Sequence, residues 1–113
     1  MLRVVVAIAF ALPLVAAAAG PQISGRYTSN WDGVTLTQDG DRVHGTYVCC
    51  GGGTIEGRII EGRTLRYRWR QPGGEGMGVW TIDGDHLRGT WGWNRDDDDG
   101  GRWDLVRDAQ IAN

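Results

Sequence analysis

Four consecutive aspartates, Asp96 to Asp99, precede Gly100-Gly101, and such a run supplies the oxygen ligands that a hard cation such as calcium takes. Asp96, Asp98 and Asp99 are the candidate metal ligands. Counted as an EF-hand loop from Asp96, the segment puts Gly100 at position 5 and Arg107 at position 12, where that loop needs a bidentate Glu. A solvated acidic turn paired with Arg95 or Arg102 fits the spacing better, and no cofactor other than calcium is expected. Two aromatic–polar pairs, Trp31-Asp32 and Trp93-Asn94, could stack on a sugar or heterocycle and anchor it through a polar group. Arg66, Arg68 and Arg70 alternate, a spacing that aims three guanidiniums from one face of a strand at phosphate or an acidic glycan, or keeps that face solvated. Cys49 and Cys50 are adjacent, which leaves open a disulfide between neighbours, an intermolecular bridge or two free thiols. Without Cys-x-x-Cys spacing they point to neither a redox enzyme nor a zinc site. His44 and His86 read as solvated strand residues. There is no nucleophile with a base and an orienting group, and no inward carboxylate pair, so no catalytic residue is assigned and the chain is not read as an enzyme.

The elements that must position these residues follow from a repeat. Asp39-Gly-Asp-Arg-Val-His-Gly-Thr-Tyr47 and Asp83-Gly-Asp-His-Leu-Arg-Gly-Thr-Trp91 share one pattern 44 positions apart, and Glu61-Gly-Arg-Thr-Leu-Arg-Tyr-Arg-Trp69 lies halfway between. Each unit sets an acidic-Gly turn between two alternating segments, the mark of a β-hairpin. Strands are predicted near 23–29, 33–38, 42–49, 54–60, 64–70, 77–82, 86–93 and 102–107. The connections are short and no helical period appears, so the fold class is all-β: an eight-stranded antiparallel up-and-down meander that closes into a small barrel and so removes exposed edges.

Two-residue turns at Asp39-Gly40 and Asp83-Gly84 would set Leu36 against Val43 and Trp80 against Leu87. A three-residue loop over Glu61–Arg63 sets Ile59 against Leu65, Gly57 against Tyr67 and Ile55 against Trp69. The inward set is then Ile23, Tyr27, Val34, Leu36, Val43, Tyr47, Ile55, Ile59, Leu65, Tyr67, Trp69, Trp80, Ile82, Leu87, Trp91, Trp103 and Leu105, with the tryptophans mainly filling the core. Gly25, Gly45, Gly57, Gly78 and Gly89 make room for the rings. Outward positions are Arg, His, Thr and Glu, unlike a lipid-facing barrel. Alternate connections fall at opposite ends, which gathers Asn30–Asp32, Cys49–Gly53, Gln71–Gly76 and Trp93–Gly101 at one loop-rich end.

The chain has 113 residues with 19 glycines, more than twice the usual ~7%, and its 12 basic residues, all Arg, face 14 acidic ones for a formal net charge of −2. Bulk attraction to nucleic acid is therefore not expected. Met1-Leu2-Arg3, the apolar run Val4 to Val15 and Ala16 to Ala19 read as a cleaved signal peptide over 1–19, leaving one domain over 20–113 with no membrane span in the mature chain. The expected location is the periplasm or the exterior, where the cysteines meet an oxidising environment.

At Gly25-Arg-Tyr27, Gly45-Thr-Tyr47 and Gly89-Thr-Trp91 the chain resembles small exported bacterial meander barrels of repeating Gly-Thr-Trp/Tyr type. More distantly, Gly25 to Tyr47 is similar to the first hairpin of the avidin and streptavidin family, eight-stranded barrels that bind biotin at the open end, and a lipocalin-like label rests on the same fold analogy. Aligned from Gly25, that family's biotin-contacting Asn falls on Ser29 and its following Ser on Gly33, while Tyr47 keeps the family type, so biotin binding is not implied. Two functions are carried forward. One is an exported binding module using Trp31, Asp32, Trp93 and Asn94 for an unknown small molecule or glycan; the other is a protein-interaction or inhibitor domain acting on an envelope or extracellular partner. A cavity among the Trp side chains would favour the first, and a filled barrel with a protruding apolar loop the second.

Overall fold

A computed structural model describes residues 20–109; the expected leader over 1–19 lies outside the described residues, as do 110–113. The alternating segments form β1 (Gly25–Ser29), β2 (Val34–Asp39), β3 (Arg42–Tyr47), β4 (Gly53–Ile60), β5 (Thr64–Gln71), β6 (Gly74–Asp83), β7 (His86–Trp91) and β8 (Gly101–Arg107). Each strand pairs with its sequence neighbours, and β1 pairs with β8 to close an up-and-down barrel. Among the described residues no helix is long and apolar enough to cross a membrane.

The inward set is as the alternation requires: all the residues named above are buried except Ile82 and Trp91, which pack half-buried against the core. Two turns differ from expectation by a register step of two. Asp39 pairs with Arg42 and Asp83 with His86, so the turn residues are Gly40-Asp41 and Gly84-Asp85. Glycine then occupies the first central position with φ of 64° and 58°, the place of positive φ in a type II′ turn. The shift puts Leu36 and Trp80 opposite Gly45 and Gly89 rather than opposite Val43 and Leu87, so a large side chain meets a small one. The middle hairpin has the expected three-residue loop, with Ile59 opposite Leu65 and Ile55 opposite Trp69. Gln71–Gly76, expected as a loop, is mostly strand: Gln71 pairs with Gly74 across a Pro72-Gly73 turn.

One contact recurs through the interior. Tyr47 faces Gly53 on the next strand, and its hydroxyl reaches over that glycine to Arg70 O on the strand after (3.3 Å). Tyr67 faces Gly78 and donates to Thr90 O (3.0 Å); Trp69 faces Gly76 and donates through Nε1 to Gly92 O (3.0 Å). Trp80 faces Gly89 and donates to Trp103 O (2.9 Å). A Cβ on Gly53 or Gly78 would collide with the tyrosine ring above it. Each bond contributes about 1 kcal/mol net, and its loss would orphan a buried group.

The end with the tight turns is closed. Ile23 is fully buried there, its N–H donates to Gln38 Oε1 (2.8 Å), and its carbonyl accepts from the Tyr27 hydroxyl (2.7 Å). The β1–β8 seam is short, three residue pairs, and Asn30 extends it. Its Oδ1 accepts from Asp104 N–H (2.9 Å) and its Nδ2 donates to Arg102 O (2.9 Å), so a side-chain amide substitutes for a further backbone pair.

Gly78→Ala should destabilise the fold by about 1–3 kcal/mol through overpacking against Tyr67, whereas Gly33→Ala, with room for a methyl, should be near neutral. Chemical denaturation of both variants checks this; equal stabilities would contradict the ring-on-glycine packing.

Candidate functional site

The rings that fill the barrel floor thin out toward the opposite end. There the last inward positions of β3, β5 and β7 and the first of β8 surround an open, apolar cavity of about 220 Å³, lined by Tyr47, Trp69, Trp91 and Trp103 with Trp31 and Trp93 at the rim. Cys49, Cys50 and Gln71 complete the wall. Five of the six tryptophans thus border one cup, and only Trp80 belongs wholly to the packed interior. The inward tryptophans pack as core, as expected, with Trp69, Trp80 and Trp103 buried and Trp91 half-buried against them; three of these, Trp69, Trp91 and Trp103, also face the cavity, while Trp31 and Trp93 are 40% and 42% exposed.

The rings brace one another edge to face. Trp91 meets Trp31, Trp69 and Trp93 at centroid distances of 5.8, 5.7 and 5.2 Å, and Tyr47 meets Trp103 at 5.2 Å. Such pairs each contribute about 0.5–1.5 kcal/mol beyond area burial and fix ring orientation. Backbone and hydroxyl acceptors hold three of them further: Trp31 Nε1 donates to Arg102 O (2.8 Å), Trp69 Nε1 to Gly92 O, and Trp103 Nε1 to Ser29 Oγ (3.1 Å). The Ser29 hydroxyl also accepts from Trp31 N–H and donates to Asp32 O, so one small residue ties the β1–β2 turn to the cup wall. Trp91 Nε1 is buried without a hydrogen-bond partner among the described residues.

The polar content of the cup is small. Burial pushes the Tyr47 phenol up to about 12 from 10.0, and its one hydroxyl proton is shared between Gln71 Oε1 (2.8 Å) and the more distant Arg70 O (3.3 Å). That leaves the Gln71 Nε2 amino group as the donor offered to a ligand. Burial likewise raises the Tyr67 phenol below, with the charges of Asp97 and Tyr47 adding to the effect. Cys49 and Cys50 are joined by a disulfide, which forms a short turn (Cys49–Gly51) with Cys50 at φ 66° against the cup rim. Among the described residues no free cysteine is present. In comparisons with protein-family models, curated proteins and solved structures, nothing matches the chain. The site is therefore argued from its own geometry.

Of the residues singled out from the sequence, Trp31 and Trp93 stand on the cup rim, but Asp32 and Asn94 do not line it. Both adopt left-handed backbone angles, φ 74° and 60°, which Asp and Asn tolerate better than most residues. Both serve turns: Asp32 Oδ1 accepts from Gly33 N–H (3.3 Å), and the Asn94 backbone N–H donates to Glu75 O (2.9 Å). Asp96, Asp98 and Asp99 lie in the β7–β8 connection, and no group of three or more His, Cys, Asp or Glu among the described residues is arranged to hold a metal ion. Asp99 Oδ1 instead accepts from Trp93 N–H (2.8 Å), and Asp97 O accepts from the Thr90 hydroxyl (2.9 Å), so the acidic segment folds the loop that presents Trp93. The Asp99 charge raises Asp96, with a side-chain hydrogen bond between the two adding to it. Alternation alone places Tyr47, Trp69, Trp91 and Trp103 in the core, and turn signals place Gln71 in a loop. Their position as the last inward residues at the loop-rich end was the available clue.

Two predictions follow from these ionisations. A phenol raised in the folded state stabilises below its ordinary value of 10.0, and that stability is lost as pH rises through the folded value of about 12 for Tyr47. Melting temperature should accordingly fall between those pH values, and Tyr47→Phe should flatten part of the fall. A carboxyl raised by neighbouring charge has the same sign at lower pH: stability declines as pH rises past the ordinary Asp range. Asp96→Asn should therefore raise the melting temperature slightly at neutral pH and leave it unchanged in acid.

Proposed function

We propose that the protein is an exported binding module that holds a compact, flat, largely apolar ligand in the aromatic cup at the barrel mouth. One observation carries this reading: five tryptophans border an open cavity of about 220 Å³ above a filled, closed floor. Aromatic walls bury the two faces of a planar ring, and a single amide donor sets its orientation. The volume lies below the ~300–1,000 Å³ of drug-sized pockets, which favours a one- or two-ring heterocycle, or one face of a single sugar unit, carrying a hydrogen-bond acceptor for Gln71 Nε2. No general base or nucleophile lines the cup, so binding without conversion is the reading adopted. The Cys49–Cys50 disulfide supports a periplasmic or extracellular location, where such bonds persist.

A second reading, a protein-interaction or inhibitor domain for an envelope partner, draws on the rim itself. Val48 is 67% exposed at the end of β3, on the same end as the exposed Trp31 and Trp93.

Tryptophan fluorescence should separate the two. Titration with purines, indole, nicotinamide and methyl glycosides should give saturable quenching for at least one class. Trp93→Ala and Gln71→Leu should each weaken it about tenfold, the equivalent of one lost stacking or hydrogen-bond contact. Binding that is indifferent to both substitutions would move the site elsewhere, and absence of any small-ligand response would favour the protein-interaction reading.

A further inference from the structure

We infer that the outer wall formed by β3, β4 and β5 is a second binding site, for a glycan carrying sulfate or phosphate groups. The register puts Arg42 directly beside Arg58, and Arg58 directly beside Arg66, all on the outer face and all exposed. Three arginines therefore spring from adjacent strands, their Cα atoms spanning about 10 Å. Like charges directly opposite one another destabilise a sheet. The same wall shows an alternative without that repulsion, since the row Thr35–Thr46–Thr54 is neutral. Arg68 and Arg70 continue the column of β5 from Arg66, and a depression in the wall is lined by Arg42, Arg58, Arg68 and Arg70 together with His44 and one carboxylate, Glu56.

The clustering is local. The chain is net acidic, and elsewhere among the described residues three arginines sit against carboxylates, Arg88 on Asp83 (2.8 Å), Arg102 on Asp104 (2.7 Å) and Arg107 on Asp85 (3.5 Å), while Arg26, Arg63 and Arg95 stand singly and form no comparable row. On this wall two of the five are paired, Arg58 in the middle of the row with Asp41 (3.7 Å) and Arg70 at the end of the column with Glu75 (3.3 Å). Arg42, Arg66 and Arg68 have no carboxylate within ion-pair distance among the described residues, although Asp39 is the register neighbour of Arg42 and Glu56 stands between His44 and Arg68. Guanidinium groups grip tetrahedral oxyanions with paired N–H donors, which suits sulfate and phosphate esters. The outward register neighbours on this wall include no Phe, Tyr or Trp on which nucleic-acid bases could stack, His44 being the one ring among them. Nor does its centre offer the apolar side chains that an interfacial membrane contact buries. A rigid row and column of cations matches a polymer whose charges are spaced along a stiff sugar backbone.

The test uses the protein over residues 20–113, a size-defined heparin oligosaccharide as probe, and its chemically desulfated form, each titrated by calorimetry at low and at physiological salt. The sulfated probe should bind, weaken steeply with salt, and lose at least tenfold in affinity with Arg58→Thr plus Arg66→Thr; the desulfated form should not bind. The melting temperature of that double variant at low salt should equal or exceed that of the parent, because repulsion is relieved. Arg88→Thr, on a different wall, should leave the affinity unchanged. The proposal is overturned by equal binding of the desulfated probe, by an unaltered affinity in the double variant, or by a drop in its stability that marks the arginines as structural. Tighter binding to a single-stranded oligonucleotide or to phosphatidylglycerol vesicles would likewise overturn it. So would a salt-sensitive dimer without glycan, which would assign the wall to the acidic loop of a second copy.

Discussion

An aromatic ring laid across a glycine, with its polar tip on a carbonyl one strand further on, governs the interior of this barrel. The geometry demands three things at once: a large side chain on one strand, no side chain opposite it, and an acceptor carbonyl within reach beyond. Tyr47 over Gly53, Tyr67 over Gly78 and Trp69 over Gly76 satisfy all three. Because the contact spans two strand-to-strand steps, it links alternate strands that share no ladder. An eight-stranded barrel has too little interior for fifteen or more large side chains unless some inward positions are empty, and the glycines are those positions. Their abundance, unusual for a globular chain, is a packing requirement and not a mark of flexibility.

The same rule produces the cup. Toward the floor, stacked Tyr67 and Trp80 (centroids 4.0 Å apart) and the plug at Ile23 fill the available space. Toward the mouth the rings brace one another edge to face, and a cavity is left between Trp69, Trp91 and Trp103. The acidic connection between β7 and β8 serves that arrangement. Gly92 and Asn94 continue pairing to β6 through Met77 O and Glu75 O, and Asp99 caps Trp93, which orients the rim tryptophan. The acidic run thus takes part in building the loop that presents Trp93.

Charge is partitioned as sharply as apolar area. The inner wall holds no buried charged residue, and the outer wall separates a cationic face on β3–β5 from paired arginines on β7 and β8. Cup and cationic wall share β3 and β5 but use opposite faces of them, since alternate residues of one strand point inward and outward. Trp69 and Arg70, adjacent in sequence, therefore serve different surfaces.

Period-2 alternation and the spacing of acidic-Gly turns determined the strand count, the meander order, the inward residues and the three-residue loop at Glu61–Arg63, because each is set by local geometry that sequence neighbours carry. The register of the other two hairpins was decided by tertiary packing. A turn shifted by one residue preserves every inward and outward assignment, so alternation cannot distinguish Leu36 opposite Val43 from Leu36 opposite Gly45; only the volume available across the barrel does. Gly74 and Gly76 look like loop residues by type, yet they belong to β6, because Trp69 and Trp93 rest on them. The site was legible in part: Trp31 and Trp93 were visible beside turn signals. Tyr47, Trp69, Gln71, Trp91 and Trp103 were read as core or loop residues, because a barrel interior and a barrel mouth use the same alternating positions. Whether a given ring closes the core or lines a cavity depends on what reaches it from the other strands, which is a property of the closed barrel and not of any one of them.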